Sequence, residues 1–424
     1  MFIRGLRVKA IHVRGGKPLY GKIKIQGSKN AALPVLAACL LIKGTCLIRN
    51  CPDISDVNCM LKLLQCTGCS VERKGDMVVV NATSLTENRL PKEYVGRMRS
   101  SVILMGPLLA RTGAAVLDYP GGCVIGDRPI DFHVEALKQL GVFVENKGYG
   151  IRAFCKNVKG NRIIFPFPSV GATQNAIMAA VLADGVTILE NCAKEPEVVS
   201  LCNFLIGAGA KIDGVGEAII RIEGVESLHA TEYEIESDRI VAGTYLFSCI
   251  ATGGEITLEK TPLWQMQQVI KVAKDMGACL WRHEDNLCVK MDRMPKGVSY
   301  LKTDIYPGFP TDLQSALLVA LSSAEGKSHI HETIFNNRYR CVPELNRMGA
   351  QISISGRDAY IEGMSKFRGG SVVAQDLRGG AALVMAALLA DADSFISNYD
   401  YIDRGYEDIC RDFRLLGADV KKIW

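Results

Sequence analysis

Six times along this chain a helix-like stretch runs into a glycine turn and then directly into a short strand. That repetition limits the possible folds more than any other feature. The copies read LKLLQCTGCSVE, EALKQLGVFVE, CNFLIGAGAKID, KVAKDMGACLW, PELNRMGAQIS and RDFRLLGADVK. Their turn glycines, Gly68, Gly141, Gly209, Gly277, Gly349 and Gly417, stand 73, 68, 68, 72 and 68 residues apart, as expected of one supersecondary unit used repeatedly. Glycine suits a helix exit because it reaches positive φ without a Cβ penalty. Upstream of each copy lies a strand-like run (TCLIRN, AAVLDY, VTILEN, EITLEK, KSHIHET, DSFISNY), preceded by an apolar helix rich in alanine and leucine. At 424 residues the chain exceeds the size at which one core keeps growing. Six units therefore divide into two domains of three, in the α/β class.

The openings of the apolar helices carry the functional signal. They read GSKNAALPVLAACLL, GRMRSSVILMGPLLA, PSVGATQNAIMAAVLA, SDRIVAGTYLFSCIA, FPTDLQSALLVALSSA and QDLRGGAALVMAALLA. Each begins polar and turns continuously apolar, the pattern of a helix buried on most sides. Lys29, Arg99, Ser169, Arg239, Asp312 and Arg378 occupy these starts. A buried helix can face a cleft only with its N-terminal end, where free N–H groups and positive potential suit phosphate. Asp or Ser at such a place is equally an ordinary cap. A cation is harder to explain by capping, because it opposes the helix dipole, and an incoming anion would offset that cost.

The second repeat departs from the rest. Gly113 to Gly141 spans 28 residues where the third repeat, Gly185 to Gly209, uses 24. The extra residues contain GGCVIG, so Cys123 sits in an insert that the repeat does not need. A glycine-dense insert can serve as a lid, and Arg128 and His133 nearby favour thiolate character. An incidental loop thiol is the other reading. The remaining cysteines of the 15 fall mostly in apolar helices and strands as small buried hydrophobes, and an odd count in a chain with ample core argues for reduced thiols. CTGC at 66–69 lacks the second pair a zinc site needs, and His329 and His331 of HIH lack an adjacent third ligand in the sequence, so both read as packing or surface residues. A net charge of +5 suits anionic small substrates and is too weak for nucleic acid. No apolar run is long enough to span a bilayer, and the start lacks the apolar core of a signal peptide. The expectation is a soluble cytoplasmic protein.

The segments GSKNAALP, MRSSVILMGPLLAR, PGGCVIGDRPID, PSVGATQN, SDRIVAGTY, GFPTDLQ, NNRY, QDLRGGAALV and YIDRGYE together resemble the UDP-N-acetylglucosamine 1-carboxyvinyltransferases, the enolpyruvyl transferases that open peptidoglycan precursor synthesis. The resemblance runs from about residue 9 to the C-terminus. It implies an inside-out α/β barrel fold of two domains, each built from three βαβαββ-type units. One domain is expected to combine 1–28 with 237–424, the other to span 29–236 and carry the Cys123 loop, with the cleft between them closing on substrate.

By the same resemblance, phosphoenolpyruvate would donate its enolpyruvyl group to the 3-hydroxyl of UDP-N-acetylglucosamine, with no cofactor and no metal. Lys29, Arg99, Arg128, Arg378 and Arg404 match phosphoenolpyruvate-binding positions. Asn30, Arg99, Arg128, Ser169, Val170, Gly171, Asp312 and Arg338 match nucleotide-sugar positions, and His133 matches a further position of the site. Cys123 matches the loop cysteine attacked by epoxide antibiotics such as fosfomycin and able to carry a phosphoenolpyruvate adduct (2-(S-cysteinyl)pyruvic acid O-phosphothioketal). With Asp312 as base and Cys123 as acid, Lys29 and Arg404 complete the catalytic set. Val241, Asn336 and the acidic residues after Tyr406 depart from the commoner pattern and leave open a principal enzyme or a second copy. The partners expected are these two small molecules, with no nucleic acid or membrane and the chain acting as a monomer. An acceptor such as shikimate 3-phosphate, or a non-catalytic UDP-sugar-binding regulator, are the alternatives.

Overall fold

A computed structural model describes residues 9–121, 130–148 and 150–424; Cys123 and Arg128 lie outside them. The described chain divides into two units, a central one of residues 27–121 and 130–236, and a terminal one that joins 9–26 to 237–424.

Three four-stranded sheets build each unit, and all six share one connectivity. In the central unit Thr45–Arg49 takes Glu232–Glu234 as a parallel neighbour on one side and Met77–Asn81 as an antiparallel neighbour on the other, with Ser70–Lys74 beyond. The sheets around Ala114–Asp118 and Val186–Glu190 repeat that order, as do those around Gly254–Glu259, Lys327–His331 and Ser394–Ser397 in the terminal unit. A parallel pair needs a crossover, and the apolar helix of the repeat supplies it: Arg162–Ile164 leads through the helix Val170–Ala180 into Val186–Glu190. The chain ends explain the discontinuity of the terminal unit. Leu19–Lys24 completes the sheet of Gly254–Glu259, and Ala10–Arg14 lies between Ser394–Ser397 and Asp419–Ile423.

The six turn glycines all hold positive φ, between 85° and 103°, where any side chain would be strained. Strands such as Val186–Glu190 alternate buried and solvent-facing residues, so each sheet turns one face inward. Against those faces lie helices of the other kind. Arg239–Thr252 is buried at every residue except its last, and so is Leu377–Leu389. Each large apolar side chain fully removed from water there contributes about 1.5–3 kcal/mol. No described helix is long and apolar enough to cross a membrane.

One expected helix takes a different form. Arg99–Leu104 is a 3-10 helix, and the α-helix begins only at Met105. Pro107 has no N–H to give the Ile103 carbonyl, which removes one rung of an α ladder at that point.

Small residues let the buried helices approach closely. A Cβ on Gly106 would lie 2.4 Å from the Asn175 carbonyl oxygen and 2.7 Å from its Oδ1. Gly106→Ala is therefore expected to destabilise the protein by about 1–3 kcal/mol, the usual cost of overpacking, seen as a lowered thermal midpoint. An unchanged midpoint would contradict this contact.

Candidate active site

In the terminal unit, three of the sequence-derived residues come together at helix starts. Asp312 lies on the 3-10 turn Thr311–Leu313, which opens the helix Gln314–Ser323. One carboxylate oxygen accepts from Arg338 Nη2 at 2.6 Å and the other from Arg378 Nη2 at 2.9 Å. Arg338 also donates through Nε to the Thr311 carbonyl at 3.3 Å. The turn itself is held by Glu332: Thr311 Oγ1 donates to Oε2 at 2.9 Å, while Oε1 accepts the Ile334 and Phe335 N–H groups. The two guanidinium groups are almost fully buried, with side chains 4% and 5% exposed, whereas the Asp312 side chain is 27% exposed. The carboxylate is thus the open member of the cluster.

Arg378 is the second residue of Leu377–Leu389, whose cap Asp376 accepts the Gly379 N–H at 2.8 Å. Burial alone would weaken the hold of this guanidinium on its proton, but Asp312, Tyr406 and Asp238 keep it above its ordinary value. Its Nη1 has no hydrogen-bond partner among the described residues, although it is buried. Asp238 caps the neighbouring helix Arg239–Thr252 through the Ile240 and Val241 N–H groups, and the Arg239 guanidinium lies over the Tyr306 ring. Arg404 ends the 3-10 helix Tyr399–Arg404. Gln26 fixes the backbone just beyond it, donating to the Gly405 carbonyl at 3.2 Å and accepting the Glu407 N–H at 2.9 Å.

In the central unit, Lys29 is the first residue of Lys29–Ala38, with Ser28 as cap. Its Nζ pairs with Asp56 Oδ2 at 3.2 Å, and both side chains are largely buried. Asn30 follows in the same turn, and Arg99 opens its 3-10 helix. Ser169 caps Val170–Ala180 by accepting the Ala172 N–H at 3.4 Å. Val170 and Gly171 form the first turn of that helix, and the buried His133 ring lies against Gly171. Lys29 with Asp56, Gly171 with His133, and Asp312 with Arg338 and Arg378 are the groupings observed.

Sequence reasoning missed Asp56, Glu332, Asn175 and Gln26. The first sits in DISDVN, where an acid in the first turn of the helix Ser55–Cys66 passes for a dipole partner; nothing local points to Lys29. Away from these groups, His329 and His331 do have a third neighbour, Asp358 from the adjacent strand, whose Oδ1 lies 2.7 and 2.9 Å from their ring nitrogens. These contacts hold the Asp358 carboxyl below its usual range. Cys69 of CTGC is buried and Cys66 half-buried, and neither is in a disulfide.

The comparisons with known proteins agree with one another. The model of the family described as EPSP synthase (3-phosphoshikimate 1-carboxyvinyltransferase) matches residues 13–413. A UDP-N-acetylglucosamine 1-carboxyvinyltransferase 2 from Caldanaerobacter subterraneus subsp. tengcongensis is 46% identical over 97% of this chain and 99% of its own length. A UDP-N-acetylglucosamine 1-carboxyvinyltransferase from Cellvibrio japonicus is 44% identical over 97% and 98%. Among solved structures, the enolpyruvyl transferase NikO from Streptomyces tendae superposes with a TM-score of 0.90 at 22% identity, covering 99% of each chain. EPSP synthase from Acinetobacter baumannii gives 0.78 at 19%, covering 98% of this chain and 100% of its own. The expected two-domain α/β architecture is the fold of these neighbours. With such identity sustained along nearly the whole of both sequences, the chain belongs to the UDP-N-acetylglucosamine 1-carboxyvinyltransferase family of enolpyruvyl transferases.

Proposed function

We propose that the chain transfers the enolpyruvyl group of phosphoenolpyruvate to the 3-hydroxyl of UDP-N-acetylglucosamine, releasing phosphate. The observation that carries this reading is end-to-end identity with proteins of that name, in a chain that keeps Lys29, Cys123, Asp312 and Arg404. It acts on these two small molecules as a cytoplasmic monomer, without nucleic acid or membrane.

The enol carbon C2 is a poor electrophile until C3 takes a proton, and the sugar hydroxyl is a poor nucleophile until it can lose one. Cys123 gives its proton to C3. The hydroxyl oxygen bonds to C2 as Asp312 accepts the hydroxyl proton, forming a tetrahedral phosphoketal. The Cys123 thiolate then takes a proton back from C3, re-forming the double bond as the C–O bond to phosphate breaks, and the departing phosphate takes the proton held by Asp312. The Cys123 sulfur can bond to C2 instead, giving a covalent adduct beside this path.

A carboxylate gripped by two arginines is a weak base, so Asp312 acts mainly by orienting the hydroxyl and receives its proton only as positive charge develops at C2. The donor carries a carboxylate and a phosphate. Lys29, Arg99, Arg128 and Arg404 neutralise them, and the second nitrogen of Arg378 (the one not turned to Asp312) adds a further donor. Such a fixed field matters more than any one proton transfer because it needs no reorganisation during the reaction. Asn30, Ser169, Val170 and Gly171 hold the nucleotide sugar, Arg338 fixes Asp312 beside its hydroxyl, and anion binding at the first turn of Val170–Ala180 follows from the free N–H groups there.

Incubation of the purified protein with both substrates should release phosphate and yield an enolpyruvyl product of the matching mass. Product from shikimate 3-phosphate and none from UDP-N-acetylglucosamine would reassign the acceptor. Cys123→Ala should abolish phosphate release, while Cys123→Asp keeps part of it because a carboxylic acid can still protonate C3; full activity in the alanine variant would remove the acid role. Asp312→Ala should lower kcat at least about 100-fold, the scale of a positioned proton-transfer group, and an unchanged kcat with both substrates saturating would refute the assignment. Asp56→Asn should raise KM for phosphoenolpyruvate about tenfold, roughly the worth of one misplaced charge-assisted hydrogen bond, with kcat within about threefold. Equal KM values would free Asp56 from any part in placing Lys29.

A further inference from the structure

A buried histidine in the central unit is held by an amide whose orientation the backbone decides. Asn175, fully buried in Val170–Ala180, accepts the Gly106 N–H on Oδ1 at 2.7 Å and donates through Nδ2 to the Val102 carbonyl at 3.3 Å. An N–H can only donate and a carbonyl can only accept, so the amide cannot be flipped. Its Nδ2 also lies 3.2 Å from His133 Nδ1. Two N–H donors cannot face each other, so Nδ1 must be the acceptor and the ring proton must sit on Nε2.

The opposite edge of that ring meets Gly171, one turn before Asn175 on the same helix face. A Cβ at Gly171 would stand 3.0 Å from Cε1 and 3.1 Å from Nε2. Glycine there leaves space for the imidazole edge at the helix start. Among the described residues, the ionisable groups on the elements around this ring are as follows. Val170–Ala180 has none, and Met105–Thr112 has only Arg111, which donates to the Leu40 and Ala82 carbonyls. Arg99 opens the 3-10 helix that bears Val102. Asp131, Glu135 and Lys138, on the helix Asp131–Gln139 of His133 itself, are all exposed. The strands packed on that helix bring Glu145 from Phe143–Lys147 and Arg162 from Arg162–Ile164.

We propose that Asn175 is a positioning residue that holds His133 as the neutral Nε2–H tautomer, so that its N–H serves the first turn of Val170–Ala180 as a donor to the diphosphate of the nucleotide sugar. This rests on the functional reading above, and it adds a neutral ring donor beside the backbone N–H groups of that first turn. A neutral donor can grip the diphosphate in both bound and departing states without the added charge of an imidazolium.

The test combines two readouts. The chain has six histidines, and uniform histidine ¹⁵N labelling at pH 7.5, with His133→Phe identifying the signal by its loss, should give an unprotonated Nδ1 and a protonated Nε2 for His133. In Asn175→Asp the amide donor becomes an acceptor and Nδ1 should become protonated. A wild-type ring protonated on Nδ1, or an Asp variant with the same tautomer as wild type, would overturn the proposal. For binding, His133→Phe should weaken UDP-N-acetylglucosamine about tenfold by calorimetry, the loss of one hydrogen bond to a charged group. His133→Gln, whose amide places an N–H near the Nε2 position, should stay within about threefold of wild type. Equal loss in both, or in neither, would end the donor role. The tautomer measurement needs no substrate. A wild-type protein that shows the Nε2–H tautomer but binds no UDP-N-acetylglucosamine would therefore sink the functional reading and the ligand assignment, while leaving the Asn175 lock intact.

Discussion

The whole design depends on helices that are buried around their circumference. A helix such as Arg239–Thr252, with every residue but the last out of water, has no polar side on which to place chemistry. Only its ends remain, and of the two it is the N-terminal end that offers unsatisfied N–H donors and positive potential. Sheets on the other face of each repeat supply the amphipathic layer that covers such helices. On these buried helices, charged groups are therefore confined to the starts by packing.

That confinement creates an electrostatic problem, which the caps and ion pairs solve locally. Lys29 follows the cap Ser28, Arg239 follows the cap Asp238, and Arg378 lies two residues after the cap Asp376. A cation beside the positive end of a dipole and out of water would be costly alone. Lys29 has Asp56 and Arg378 has Asp312, with Asp238 contributing its field to the latter. Capping and anion binding, which look like rival explanations of a polar helix start, are here neighbouring residues of one arrangement. The paired acids make the cations tolerable, and a cation beside free N–H groups at a helix start suits an anion.

How much of this could be read from the sequence follows from the range of each interaction. The six glycine turns and the apolar helices are local, and their φ values and burial agree with the reading of the repeats. Helix starts are also local, so Lys29, Asp312 and Arg378 could be picked out one at a time. Their partners could not. Asp56 is 27 residues from Lys29 and Asn175 is 42 from His133, and each looks locally like a first-turn acid or a core residue; Arg338, 26 residues from Asp312, is reached only through the family resemblance. The 3-10 form of Arg99–Leu104 could not be read from Pro107, because Pro34 lies within the α-helix Lys29–Ala38 without changing its form. Asp358 was hidden from His329 and His331 because it comes from the next strand, and a cross-strand neighbour leaves no trace in spacing along one strand.

The cysteines raise the same question of environment against residue type. Eleven of the fourteen described cysteines are buried, and burial pushes the thiols of Cys192, Cys202, Cys249, Cys341 and Cys410 up to about 12. A thiol held that high has almost no thiolate at neutral pH, so it neither attacks electrophiles nor exchanges with disulfides at an appreciable rate. It is equally useless as an acid for carbon, because its conjugate base would be stranded in apolar surroundings. An acid that must give a proton to C3 and recover it in each turnover needs a thiolate that cations can stabilise. Cys123, followed five residues later by Arg128 in a glycine-rich insert, has the sequence setting for that. These five buried cysteines therefore differ from Cys123 in setting: the core silences them by the same desolvation that makes them good packing residues, and reactivity is left to wherever charge accompanies sulfur.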